Sequence, residues 1–271
     1  MSITHESILD DLENDRLPLP TLPEVAIKVR ETVDDDNASI RDVCDIIITD
    51  AALSARLIQV ANSALYRGLN PAENVQAAVT RMGLNTVRNL ATSLVMKQLF
   101  QATNSIVDKF LRQSWKLSTD VAALTALLAK SYTRLDADSA LLAGLTHSIG
   151  VSPILVKAES DSELLNSPEK LNKLIFELYP TVGAEILRRW DFPESMIKVP
   201  REHLDTTREH EGDADYADVV QVALLETVAG SDHPLGHLDV KEIPAFQRLG
   251  MESFEEIDMS GGVEEIKAAI G

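Results

Sequence analysis

Six histidines and a single cysteine are the residues of this 271-residue sequence best suited to chemistry, and their neighbours decide of what kind. His147, followed by Ser148, ends the apolar run Ala140-Leu141-Leu142-Ala143-Gly144-Leu145, where a solitary imidazole is a core residue bonded to a backbone carbonyl or a nearby hydroxyl. His203, in Arg201-Glu202-His203-Leu204, is a second imidazole that could join it. His233 and His237 flank Pro234 and Gly236, which keep them off a shared helix face and argue against a metal pair. Cys44 lies in the apolar run Val43-Cys44-Asp45-Ile46-Ile47-Ile48; it has no partner for an internal disulfide and reads as a buried thiol. Asp34-Asp35-Asp36-Asn37 lacks the glycine and glutamate that a calcium loop requires. There is no Gly-rich phosphate loop and no Gly-x-Ser-x-Gly elbow.

The chain that must position these residues is 45% hydrophobic but only 4% aromatic, a composition that suits helix packing and predicts an all-α fold. Its 43 acidic and 25 basic residues give a formal charge of −18, a field that disfavours direct nucleic-acid binding and anionic lipid surfaces. From Arg201 onward there are 17 acidic and 5 basic residues, so the last quarter carries most of the charge. With no basic leader and no apolar run of about 18 residues, membrane insertion is not expected and a cytoplasmic location is.

Apolar periodicity and caps predict helices over 2–15, 23–33, 40–48, 50–61, 73–81, 85–100, 104–132, 136–155, 167–178, 180–190, 193–203, 214–230 and 261–270. Ser39 with Asp42 makes a capping box and Asp50 an N-cap. Pro18, Pro20 and Pro23 enforce an extended connector that packs along its own domain, and Gly83 is expected to end a helix in the left-handed region. Gly230 to Gly236 reads as a linker.

Seven strings in fixed order resemble one family: Leu19-Pro20-Thr21-Leu22-Pro23; Ile47 to Leu57; Ala61-Asn62-Ser63-Ala64-Leu65-Tyr66; Ala77 to Leu84; Ser114 to Ser118 with Val121-Ala122; Ala143 to Gly150; and Val182 to Trp190 with Pro193. They are similar to the HDOD family over about residues 15–230, with Asp50-Ala51 where that family usually has Asp-Pro. The resemblance implies a two-lobed helical bundle whose second lobe is like the HD domain of metal-dependent phosphohydrolases. It divides the chain into an N-terminal helix (1–15), an HDOD domain (16–230, lobes 16–103 and 104–230) and an acidic C-terminal segment with a short helix (231–271).

By the same resemblance, the HD metal ligands fall at Leu117, at His147-Ser148, near Tyr179 and about Leu224, with His203 the one additional imidazole. Two imidazoles do not make a di-metal site, and leucines at ligand positions favour filling of the old pocket by side chains. The expectation is therefore a non-catalytic regulatory module without metal or cofactor. It would act in trans on another signalling protein: a kinase, a response regulator or a cyclic-dinucleotide enzyme. A nucleotide sensor built on the vestigial pocket is the alternative, and residual phosphohydrolase activity ranks below it. Arg81, Arg88, Lys97, Lys109, Arg112 and Lys116 are the candidate interaction face, against the plainer reading of a solvated helix surface. Trp190 is expected in the core between lobes with one neighbouring arginine ion-paired, and the acidic C-terminus as a capping helix or a docking tail.

Overall fold

The computed structural model describes residues 3–254, 257 and 262–270, and among them there are helices and no strands. The first lobe is built from α2 (Glu24–Val33), α3 (Ile40–Ile48), α4 (Ala51–Ala61), α5 (Val75–Met82) and α6 (Leu84–Val95). These helices are short, so caps matter. Ser39 and Asp42 form the expected capping box, and Asp50 Oδ1 accepts the amides of Ala52 and Leu53 at 2.9 and 3.0 Å. Gly83 takes φ +82° with an extended ψ of 162°, so it turns the chain directly from α5 into α6 rather than closing α5 in the left-handed helical region. Helix α6 stops at Val95, short of the expected 100, and a 3-10 turn covers Met96–Leu99.

The second lobe comprises α7 (Ser105–Tyr132), α8 (Ala137–Thr146), α9 (Val151–Ala158), α10 (Ser162–Leu165), α11 (Pro168–Arg189), α12 (Glu194–Glu202) and α13 (Tyr216–Val228). Helices α7 and α8 form the most extensive helix pair, and Gly144 explains how: a Cβ there would run into the backbone of Ala122. The stretch Ala137–Ala158 is apolar enough to cross a membrane, yet 89% of its most apolar window is buried in this core.

Two expected boundaries fall differently. The helix predicted over 136–155 is two helices with a turn at 147–150, and Gly150 in that turn lies so close to the Tyr179 carbonyl and the Gly183 amide that no side chain would fit there. The helices predicted on either side of Pro180 are one, α11: buried Leu178, Tyr179, Val182 and Gly183 hold the helix together across a residue that donates no hydrogen bond.

Helix α1 (His5–Glu13) packs on α11, and Lys157 on α9 pairs with its Asp11 at 2.7 Å. The proline connector buries Leu17 and Leu22 and offers the Pro20 carbonyl to Trp190 Nε1 at 3.1 Å. Trp190 is only half-buried, and both Arg188 and Arg189 pair with Glu185, the latter also with Asp15. The lobes meet through α6 on α8, with Tyr66 hydrogen-bonded to buried Asp138. After α13 come a 3-10 turn (Val240–Glu242), α14 (Pro244–Arg248) on α13, and α15 (Val263–Ile270), which packs on both α4 and α7. Lys267 meets Asp120 at 3.1 Å and Glu265 accepts the Ala64 amide at 2.7 Å, so α15 caps its own domain. Residues 1–2, 255–256, 258–261 and 271, which include parts of the expected first and last helices and of the acidic docking tail, lie outside the described residues.

Candidate functional site

The turn between α8 and α9 sits against the middle of α11, and there two imidazoles meet. His147 is the C-cap of α8, and its Nδ1 lies 2.6 Å from the Gly144 carbonyl. A carbonyl only accepts, so Nδ1 carries the proton and Nε2 keeps a bare lone pair. His203 repeats the device at the end of α12: its Nδ1 faces the Val199 and Pro200 carbonyls at 2.9 and 3.0 Å. Its Nε2 must then accept, and the Tyr179 hydroxyl donates to it at 2.8 Å. The two imidazole rings stand edge to face with centroids 5.1 Å apart. Both histidines are fully enclosed: burial pushes His147 down to about 4, and burial with the neighbouring His147 pushes His203 down to about 3. Burial also drives the Tyr179 hydroxyl well above its ordinary range, so it remains a donor.

Above His147 opens a cleft of about 660 Å3, so the old pocket is not filled by side chains as its leucines led one to expect. The leucines line its walls instead. Leu117 comes from α7 and Leu224 from α13, joined by Phe110, Val151, Ile175 and Phe176. Ser148 also lines it, but its hydroxyl is 2.6 Å from Ser118 Oγ, which itself donates to the Ser114 carbonyl. Lys173 and Glu177, 3.9 Å apart one turn along α11, stand over the apolar walls.

His233, read from sequence as part of a linker, completes the cleft. The Gly230 amide bonds to the Gly236 carbonyl at 2.8 Å, closing the loop and bringing His233 to Phe176 with ring centroids 5.9 Å apart. Its Nδ1 accepts the Leu235 amide at 3.2 Å, which leaves the proton on Nε2, and burial lowers its pKa. No local pattern marks this residue; only the path of the loop over α11 brings it in. His237 is exposed, away from the cleft's lining.

HD-type phosphohydrolases hold divalent ions in this position, and the residues present do not fit one. A catalytic ion needs several imidazole or carboxylate donors plus an open position. Leu117 and Leu224 have no donor atom, Ser148 is committed to Ser118, and the His203 lone pair is committed to Tyr179. That leaves His147 Nε2, and the Glu177 and Asp232 carboxylates that also line the cleft do not join it in a group of three close ligand atoms among the described residues. Elsewhere in the lobe, His210, Asp215 and Asp218 place their ligand atoms within 4.8 Å of one another. Two guanidiniums already occupy that cluster: Arg208 meets Asp218 at 2.9 Å and Asp215 at 2.5 Å, and Arg248 meets Asp218 at 3.3 Å.

The six basic residues proposed as an interaction face do not form one free surface. Arg81 donates to the Ala61 carbonyl at 2.8 Å, to Asn62 and to the Asn70 carbonyl, because the loop after α4 leaves backbone acceptors that a guanidinium can satisfy. Arg88 pairs with Asp34 at 2.7 Å in a hollow between the lobes, and Arg112 pairs with Asp108 one turn away at 2.6 Å. Lys97 and Lys116 border a depression beside α15, while Lys109 is exposed on α7.

Comparison with known proteins gives the family and the fold. A model of the HDOD domain matches residues 19–206. A solved structure from Shewanella amazonensis SB2B, provisionally named a metal-dependent phosphohydrolase, is 34% identical, with 98% of each chain covered and a TM-score of 0.88. A solved HDOD domain protein with unknown function from Geobacter sulfurreducens shares the fold at 20% identity and a TM-score of 0.66, covering 98% of this chain and 97% of its own. An uncharacterized protein from Treponema pallidum (strain Nichols) is 26% identical over 206 residues; the match takes in 73% of this chain and 39% of that relative's length.

Proposed function

Because this chain belongs to the HDOD domain family, we propose that it is a regulatory signalling module that performs no phosphoester hydrolysis and acts on a protein partner in trans, of the kinase, response-regulator or cyclic-dinucleotide-enzyme kind. One observation carries the non-catalytic part: at the position of the HD metal centre, the only imidazole lone pair not already hydrogen-bonded is that of His147, with leucines at two ligand positions and Ser148 bonded to Ser118. Without an ion there is no acidified water and no polarisation of phosphate oxygens. The −18 charge supports a protein partner over nucleic acid.

The test has two arms. The purified protein, with Mn2+, Mg2+ or Zn2+, is incubated with bis(p-nitrophenyl) phosphate and with cyclic dinucleotides; no turnover above an H147F control is expected, and metal-dependent turnover abolished in H147F would overturn the reading. Separately, purified candidate partners of the three kinds are titrated against the protein. Saturable binding to one supports action in trans, and binding to none removes it.

A second reading, a small-ligand sensor, is favoured by the open cleft itself, whose volume lies within the range of ligand pockets.

A further inference from the structure

The cleft over His147 is unlike a nucleotide pocket, and its chemistry narrows what it could hold. A phosphate-bearing ligand calls for guanidiniums, ammonium groups or a helix N-terminus aimed at the anion. Among the described residues Lys173 is the only cation lining this cleft, and it has Glu177 at 3.9 Å and Asp232 in the same lining, so the charged side chains there sum to a negative value. The walls are mostly aliphatic and aromatic, with Gln113, Ser114 and Asn172 among them. Tyr179 contributes its ring while its hydroxyl proton is committed to His203.

One polar atom on the floor has no such commitment. His147 is 1% exposed and its Nδ1–H is fixed on Gly144, and no described residue hydrogen-bonds to its Nε2. Nε2 opens onto the cleft, where it can accept from a bound molecule. From this pairing of a largely apolar cleft with one anchored acceptor that opens onto it, we infer that the cleft is a binding site for an uncharged, largely apolar ring compound that donates a single hydrogen bond to His147 Nε2. The inference rests on the small-ligand reading and replaces the nucleotide as its ligand class. Phe110 and Phe176 supply faces and edges for ring packing, and His233, with its proton on Nε2, adds a donor for a ligand acceptor. Because burial keeps His147 neutral, the acceptor is present throughout the physiological pH range.

The test uses paired probes on the full chain. 2-Naphthol carries a hydroxyl donor, and 2-methoxynaphthalene has the same ring without the proton; AMP and inorganic phosphate are the anionic controls. Binding is followed by calorimetry and by NMR of the protein labelled with 15N-histidine. We expect 2-naphthol to bind at least about tenfold more tightly than 2-methoxynaphthalene, the equivalent of about 1.4 kcal/mol, and to shift the His147 Nε2 resonance. H147F should erase the difference between the two naphthalenes; should that variant not fold, the comparison on the unmodified protein decides alone. Equal binding of the two would overturn the hydrogen bond. Binding of AMP or phosphate in preference would overturn the ligand class while leaving a sensor in place. No binding of any probe would overturn both, and would leave the absence of hydrolysis to its own assay.

Discussion

In the cleft, His147 and His203 stand edge to face at 5.1 Å, each anchored through Nδ1 to its own helix end and neither bonded to a carboxylate. At the start of α13, Asp215 and Asp218 converge with His210, and Arg208 and Arg248 fill the space between them. Both regions gather metal-ligand residue types, and they are closed to metal for opposite reasons. In the cleft the carboxylates, Glu177 and Asp232, are not gathered with the imidazoles into one ligand set, and Glu177 lies beside Lys173; the second cluster has gathered anions whose charge is already met by guanidiniums, around an Asp218 side chain that is 1% exposed. A count of histidines and carboxylates is therefore a poor guide to a metal site. What matters is which lone pairs remain after the protein's own donors are served.

The sharpest way to break this comparison is to empty the charged cluster. Arg208→Ala leaves Asp218, whose side chain is 1% exposed, with Arg248, His210 and the Asp215 amide. Removing one member of a buried ionic network costs about 3 kcal/mol, which in a chain of this size lowers the melting temperature by about 6–12 °C, measurable by thermal denaturation. In the cleft the corresponding change is milder. Tyr179→Phe removes the donor to His203 Nε2 and leaves one buried neutral acceptor unpaired, a loss of about 1–3 kcal/mol, read from chemical denaturation midpoints.

The two regions also part in their response to acid. A histidine whose folded pKa lies below its unfolded value contributes fully above pH 6.5 and loses stability as pH falls toward the folded value, here about 4 for His147. The stability advantage of the unmodified protein over His147→Phe should thus shrink by up to about 1.4 kcal/mol per pH unit between those limits. Asp215 behaves otherwise. Burial would raise its pKa, but Arg208 holds it below 3.8, so its contribution is lost only in stronger acid. Denaturation of the two variants at pH 7 and pH 5 checks both: the Arg208→Ala deficit should change little over that interval and the His147→Phe gap should change most.

Much of this was legible in the sequence, where local chemistry decided the outcome. Ser39, Asp42 and Asp50 announce their helices because capping is a matter of neighbours a few residues apart. The HDOD resemblance located Leu117, His147, Ser148, Tyr179 and Leu224, and the structure lines one cleft with all five, with His203 directly beneath. What escaped depends on tertiary packing. Pro180 looked like a boundary because its missing donor is visible in sequence, whereas the burial that carries α11 through it is not. The turn after His147 packs Gly150 against the backbone of Tyr179, about thirty residues away, a contact that no local pattern announces. Arg81 resembled a free cation until the carbonyls after α4 were seen to claim it, and His233 enters the cleft only through the fold of its loop.

The central claim is that the second lobe keeps the HD cleft while its imidazoles have become neutral, anchored acceptors rather than metal ligands. It is tested most directly by 15N-histidine NMR of the intact protein, titrated from pH 7.5 to pH 5 and then at pH 7 with Zn2+ and Mn2+. The account predicts that His147 and His203 stay in the Nδ1–H tautomer across the whole range and that neither Nε2 resonance responds to stoichiometric metal. Protonation of either ring near pH 6.5, or a saturable shift or broadening of both Nε2 signals at one equivalent of ion, would contradict it.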